Sequence, residues 1–98
     1  MGGFEWDERK RQRNLDDHGV DFRLAVLIFK APVVEAEDER DDYGEARYRA
    51  LGRVGDEYFV VAYTWRGAAG RIISAWKVGE HGKRRYQTLL AGRARENG

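Results

Sequence analysis

The stretch over residues 58–66 constrains the fold most. Tyr58, Val60, Ala62 and Thr64 alternate there with Phe59, Val61, Tyr63 and Trp65, a period of two that carries apolar groups on both faces. Such a run predicts a central β-strand. Three more strand-like runs, residues 33–37, 47–54 and 71–78, flank it. Gly55-Asp56 and the Gly67–Gly70 segment supply the backbone freedom that tight hairpins need, so the four runs predict an antiparallel meander.

Helical signals lie on either side of these strands. Asp7 is placed as an N-cap and Gly19 as the C′ residue of a first helix, in which Leu15 is the one aliphatic anchor. His18 beside Gly19 suits a cation at a helix C-terminus. In a second helix Phe22, Ala25, Val26 and Phe29 fall at i, i+3, i+4 and i+7, with Asp21 as cap and Pro32 as terminator. Trp6 and Phe22 are placed to staple helix ends to the core. After Gly79, Tyr86, Leu89 and Leu90 mark the sheet-facing side of a C-terminal helix, with a tail over residues 93–98 expected to fray. The acidic run from Glu37 to Asp42, with Gly44, reads as a solvated loop. The fold expected is α+β: two N-terminal helices, a four-stranded antiparallel meander and a C-terminal helix, with the helices on one face in a two-layer sandwich.

Ninety-eight residues leave room for a single domain over residues 1–98. The absence of cysteine removes disulfides, thiolate metal sites and thiol nucleophiles, and predicts a reducing, cytoplasmic setting. No apolar run approaches the roughly 20 residues that span a bilayer, so no membrane role is expected. His18 and His81 sit in no metal-ligand spacing, and no phosphate loop or nucleophile elbow is present, so neither metal nor cofactor is expected.

Charge is strongly asymmetric along the chain. Residues 1–30 hold six acids and six bases, residues 31–58 nine and four, and residues 59–98 two and eight. A basic C-terminal part suits a polyanion or an acidic partner. Arginine forks match phosphate, and exposed rings stack on unpaired bases, so cations interleaved with Tyr58, Tyr63, Trp65, Trp76 and Tyr86 suit RNA. The same rings and arginines serve equally well as sheet core and solvated edges. RNA cleavage needs no metal when a base takes the 2′-OH proton and cations hold the developing charge.

Spaced blocks then narrow these alternatives. Phe4-Glu5-Trp6-Asp7, Lys10, Asn14, His18-Gly19-Val20, Phe22, Ala25 and Phe29 resemble the opening of the BrnT family of toxins. Glu45, Arg47, Leu51-Gly52, Val60-Val61, Tyr63-Thr64, Arg66-Gly67, Arg71-Ile72-Ile73-Ser74-Ala75 and Tyr86 continue the resemblance in order, over about residues 4–90. The resemblance implies the toxin of a type II toxin–antitoxin pair with a RelE-like fold. It further implies metal-independent endoribonuclease activity on mRNA that inhibits translation, and a BrnA-like ribbon-helix-helix antitoxin through which alone DNA would be met.

Carried onto this chain, the resemblance makes Arg47 and Arg71 candidate phosphate clamps and Tyr86 a candidate general base, and Lys77, the neighbour of Trp76, is the candidate aid to the leaving group in place of a missing family arginine. Arg66, Lys83, Arg84 and Arg85 become candidates for flanking RNA phosphates. Two positions depart from the family pattern: Trp76 stands where a second arginine is usual, and Gly82 where a glutamate is usual. A catalytically silent module that binds an antitoxin and contributes to operon repression is the alternative these departures leave open.

Overall fold

The structure, a computed structural model, describes residues 3–39 and 44–97, with side chains through Arg93. The acidic loop expectation falls partly on residues 40–43, outside the described residues. In chain order the elements are β1 (Phe4–Glu5), α1 (Glu8–His18), α2 (Phe22–Ala25), a 3₁₀ turn (Val26–Lys30), β2 (Val34–Glu37), β3 (Tyr48–Val54), β4 (Glu57–Arg66), β5 (Ala69–Val78) and α3 (Glu80–Asn97). The strands form one mixed sheet in the order β1-β5-β4-β3-β2.

Strands β2 to β5 are the expected meander, and Gly55 and Gly67 take φ of 60° and 61° at its two tight turns. A fifth strand joins them. Strand β1 pairs parallel to β5, Phe4 opposite Gly70 and Glu5 opposite Arg71. Two residues carry no periodicity, which hides this strand in the sequence. Tertiary packing holds it: the Phe4 ring stacks on Phe29 with centroids 4.4 Å apart.

Helix α1 has the predicted caps. Asp7 accepts from the Arg9 backbone N–H at 2.7 Å, and Gly19 adopts a left-handed φ of 69°. Its anchor, however, is Asn14 rather than Leu15. Asn14 is the only buried residue of α1; it donates to the Val20 and Ala75 carbonyls, both at 2.8 Å, and accepts from the Ala75 N–H at 3.1 Å. One side-chain amide thus acts as a stand-in strand on the edge of β5 where β1 has ended.

The second helix is shorter than its periodicity predicts. After one α-turn the chain tightens into the 3₁₀ turn, which brings Ile28 into the core against Gly52. A Cβ at Gly52 would lie 2.8 Å from Ile28 Cβ, so the close seat requires glycine there. The β-branched Val26 and Ile28 fit the α-helix poorly, and Pro32 stops any recovery.

Asp21 caps α2 by accepting from the Arg23 N–H at 2.8 Å, and it takes ion pairs from Arg23 at 2.8 Å and Arg11 at 3.1 Å. Chiefly through the Arg23 side-chain hydrogen bonds, its pKa falls from the ordinary 3.8 to about 2. A lowered folded-state pKa means stability that is present above the unfolded value and lost as pH drops from about 3.8 toward about 2. Asp21→Ala is expected to cost about 1–2 kcal/mol near neutral pH, as N-cap removal does. Urea unfolding of both proteins near pH 7 and again near pH 2 checks this, because the gap between them should narrow in acid.

Paired residues of an antiparallel ladder share a face. Phe59, Val61 and Tyr63 therefore face the same way as Ala50, Ile72 and Ala75, and with Phe22, Ala25 and Ile28 they form the main core. The helices do not all lie on this face, which corrects the expected two-layer sandwich. On the opposite face Tyr86 and Leu90 of α3 pack against Val34, Leu51, Tyr58, Val60 and Val78. Strand β4 is apolar on both sides, so both sides need cover, and the N-terminal helices supply it for one only. Leu89, expected to face the sheet, is instead 40% exposed. Helix α3 continues past Gly92 to Asn97.

Candidate functional site

Helix α3 covers only part of its face of the sheet. The register places Arg49 beside Ala62, Trp76 beside Val60 and Arg71 beside Thr64, all on this same face. Between α3 and the sheet runs a cleft of about 380 Å³. Val34, Leu51, Val60 and Val78 make its apolar floor, while Arg49, Trp76, His81 and Arg85 bring in the polar and aromatic groups.

A β-bulge decides which cations share this face. Between Ala62 and Tyr63 the register slips, with Ala62 opposite Ser74 but Tyr63 opposite Ile72, so Ile73 is the extra residue of β5. Plain alternation puts Arg71 and Lys77 on one face and Trp76 on the other. The bulge reverses the parity, leaving Arg71 with Trp76 on the α3 face and Lys77 with Phe59 on the helical face. There Lys77 is exposed and pairs with Glu57 at 3.4 Å.

The other sequence candidates divide in the same way. Arg47 lies just before β3 and pairs with Glu45 at 3.8 Å. Arg71 pairs with Glu5 across the β1–β5 ladder at 3.0 Å. Arg66 is exposed at the end of β4, and Arg84 and Arg85 are exposed on α3. Lys83 Nζ lies 6.0 Å from the centre of the Tyr58 ring. Tyr86 is only 4% exposed; it meets Tyr58 edge-on, and its hydroxyl donates to the Pro32 carbonyl at 2.6 Å. That hydroxyl ties α3 to the chain leading into β2, and Tyr86 is not among the residues that line the cleft.

Arg49 and His81 were not among the site residues named from the sequence. Both carried a usable signal: Arg49 is two residues from Arg47 on one strand, and His81 is one helical turn before Arg85. Among the described residues neither Arg49 nor Arg85 has a carboxylate partner, and the Nε of Arg49 is buried without a hydrogen bond. Among the described residues no three His, Cys, Asp or Glu side chains cluster as a metal site, and no helix is long and apolar enough to cross a membrane.

Uncompensated guanidinium groups over an apolar floor, beside an indole and an imidazole, can hold a phosphate, take a flat ring and exchange a proton. Comparison with known proteins gives this chemistry a context. A search of curated proteins finds no match. Among solved structures, the crystal structure of the Brucella abortus ribonuclease toxin, BrnT, aligns with a TM-score of 0.66 and 28% identity, covering 82% of this chain and 100% of that one. A family model described as "Ribonuclease toxin, BrnT, of type II toxin-antitoxin system" matches residues 6–82, a span that holds Arg49, Arg71, Trp76 and His81 but stops before Arg85 and Tyr86. The chain therefore belongs to the BrnT family of ribonuclease toxins of type II toxin–antitoxin systems.

Proposed function

We propose that the chain is the toxin of such a pair, an endoribonuclease that cleaves messenger RNA in the cytoplasm without a metal ion and so inhibits translation. A BrnA-like ribbon-helix-helix antitoxin would silence it and would supply any contact with DNA. The observation that carries this reading is the cleft in which Arg49 and Arg85 have no carboxylate partner among the described residues.

In this reading the substrate's own 2′-OH attacks the adjacent phosphorus. The bond to the 5′-oxygen breaks, leaving a 2′,3′-cyclic phosphate and a 5′-hydroxyl end. One proton leaves the 2′-oxygen and one reaches the departing 5′-oxygen. His81 is the cleft imidazole, able to accept a proton at one ring nitrogen and donate from the other. Arg49 and Arg85 hold the non-bridging oxygens as charge builds on them. Arg47 and Arg71 receive flanking phosphates by exchanging Glu45 and Glu5 for them, and Arg66, Lys83 and Arg84 extend the track. Tyr86 acts by fixing α3, and Lys77 stays on the far face as a surface ion pair.

The test is cleavage of a structured messenger RNA in excess EDTA. Cleavage should persist, Arg49→Ala and Arg85→Ala should each slow it about 100-fold or more, and Lys77→Ala should leave it within about twofold. Cleavage that EDTA abolishes overturns the metal-free step. No cleavage together with no growth arrest on expression leaves the silent antitoxin-binding module as the function.

A further inference from the structure

We infer that the cleft between α3 and the sheet is a nucleobase pocket, in which one unpaired RNA base stacks on Trp76 while Arg49 and Arg85 hold the phosphates beside it. The inference rests on the RNA reading above and deepens it by naming the substrate class: single-stranded rather than paired RNA.

The argument begins with Trp76 itself. Its register partner is Val60, so the indole lies on the α3 face and half-buried against the apolar floor. His18, at the end of α1, flanks the indole with ring centroids 6.5 Å apart and planes tilted by 47°. A ring supported in this way is a preformed platform that loses little rotamer freedom when a base lies on it.

Size and polarity agree with that occupant. A cleft of about 380 Å³ is of small-ligand dimensions and far exceeds the roughly 30 Å³ share of one water molecule. An apolar floor favours a flat, weakly hydrated ring, and the two uncompensated guanidinium groups favour phosphates attached to it. An acidic peptide would satisfy the arginines but leave the indole without a stacking partner. Bases within an A-form duplex are stacked on each other and lie beyond a narrow groove, so only an unpaired nucleotide can present its face to Trp76.

The experiment measures binding, so it does not depend on cleavage. The probes are a short unpaired oligoribonucleotide, 2′-O-methylated throughout to block cleavage, and a fully paired hairpin of the same composition whose loop is a non-nucleotide linker, each titrated in EDTA. The intact protein should prefer the unpaired strand, with quenching of tryptophan emission. Trp76→Ala should weaken that strand about tenfold or more, as loss of one stacked base does, while leaving the hairpin almost unchanged. Trp76→Phe should keep most of the affinity but lose most of the quenching, since Trp6 and Trp65 remain. Trp76→Arg should bind both probes and lose the preference.

Equal affinity for strand and hairpin, or a folded Trp76→Phe and Trp76→Ala pair that both bind like the parent, overturns the pocket. RNA that fails to bind while an acidic antitoxin peptide competes for the cleft overturns it as well. Binding that depends on Trp76 without cleavage sustains the pocket and removes the nuclease; cleavage unaffected in Trp76→Ala does the reverse.

Discussion

Asn14→Ala is expected to be among the most destabilising single substitutions in this chain, at about 3–5 kcal/mol. The side chain is 5% exposed and makes three hydrogen bonds, two of them to the backbone of Ala75 and one to Val20. Truncation strands one N–H and two carbonyls away from water, each costing about 1–3 kcal/mol. It also removes the anchor of an otherwise polar helix. A domain of this size is stable by about 5–15 kcal/mol, so the loss is a large share of the whole. Thermal unfolding should move down by about 15 °C or more. Asn14→Asp is the informative companion: its carboxylate still accepts from Ala75 N–H but faces two carbonyls that it cannot serve, so it should rescue little. A fall of under about 1 kcal/mol for Asn14→Ala would show that water replaces the amide and that the β5 edge is open.

Gly82→Ala should also destabilise, against the usual effect of filling a glycine in a helix. Helix propensity alone would stabilise by about 0.8–1.0 kcal/mol. Geometry opposes it: a Cβ at Gly82 would lie 2.5 Å from Val78 Cγ2 and 2.7 Å from Val78 Cβ. Because Val78 Cβ is fixed to its strand, the helix must rise from the sheet, and overpacking of this kind costs about 1–3 kcal/mol. The clash outweighs the propensity, leaving a net loss of up to about 2 kcal/mol by chemical denaturation. In a Val78→Gly background both contacts are gone and the loss should shrink by at least half, a coupling that a double-mutant cycle measures directly. A stabilised Gly82→Ala would show that α3 shifts freely. The glycine thus sets how closely α3 approaches the sheet, and with it the width of the cleft.

What was legible in the sequence follows from where the information lies. The two-sided alternation of β4, the Asp7 and Gly19 caps of α1 and the turns at Gly55 and Gly67 are local signals, and the structure contains each. Strand β1 is held by Phe29 and Gly70, residues distant in sequence, so no window around Phe4 reveals it. The same holds for Asn14, whose partner is 61 residues away. Of the candidate site, Arg47, Arg71, Arg66 and Arg85 could be named from the sequence because arginines cluster in the basic C-terminal part and at the start of β3. The bulge at Ile73 was not: one extra residue inverts the face of everything beyond it, so counting by twos joined Arg71 to Lys77 and separated it from Trp76.

The internal ion pairs of Arg71 with Glu5 and Arg47 with Glu45 have a thermodynamic consequence for a polyanion on this face. A free guanidinium that meets a phosphate releases the small cations condensed on the nucleic acid, and that release makes affinity fall with added salt. Arg71 and Arg47 enter already half-neutralised by their own carboxylates, and each carboxylate, once displaced, recruits a cation in turn. Net counterion release on this face is therefore governed by Arg49, Arg85 and the other unpaired cations. In the proposed RNA complex the two paired arginines act instead as an exchange reserve, adding contacts while adding little to the dependence on ionic strength.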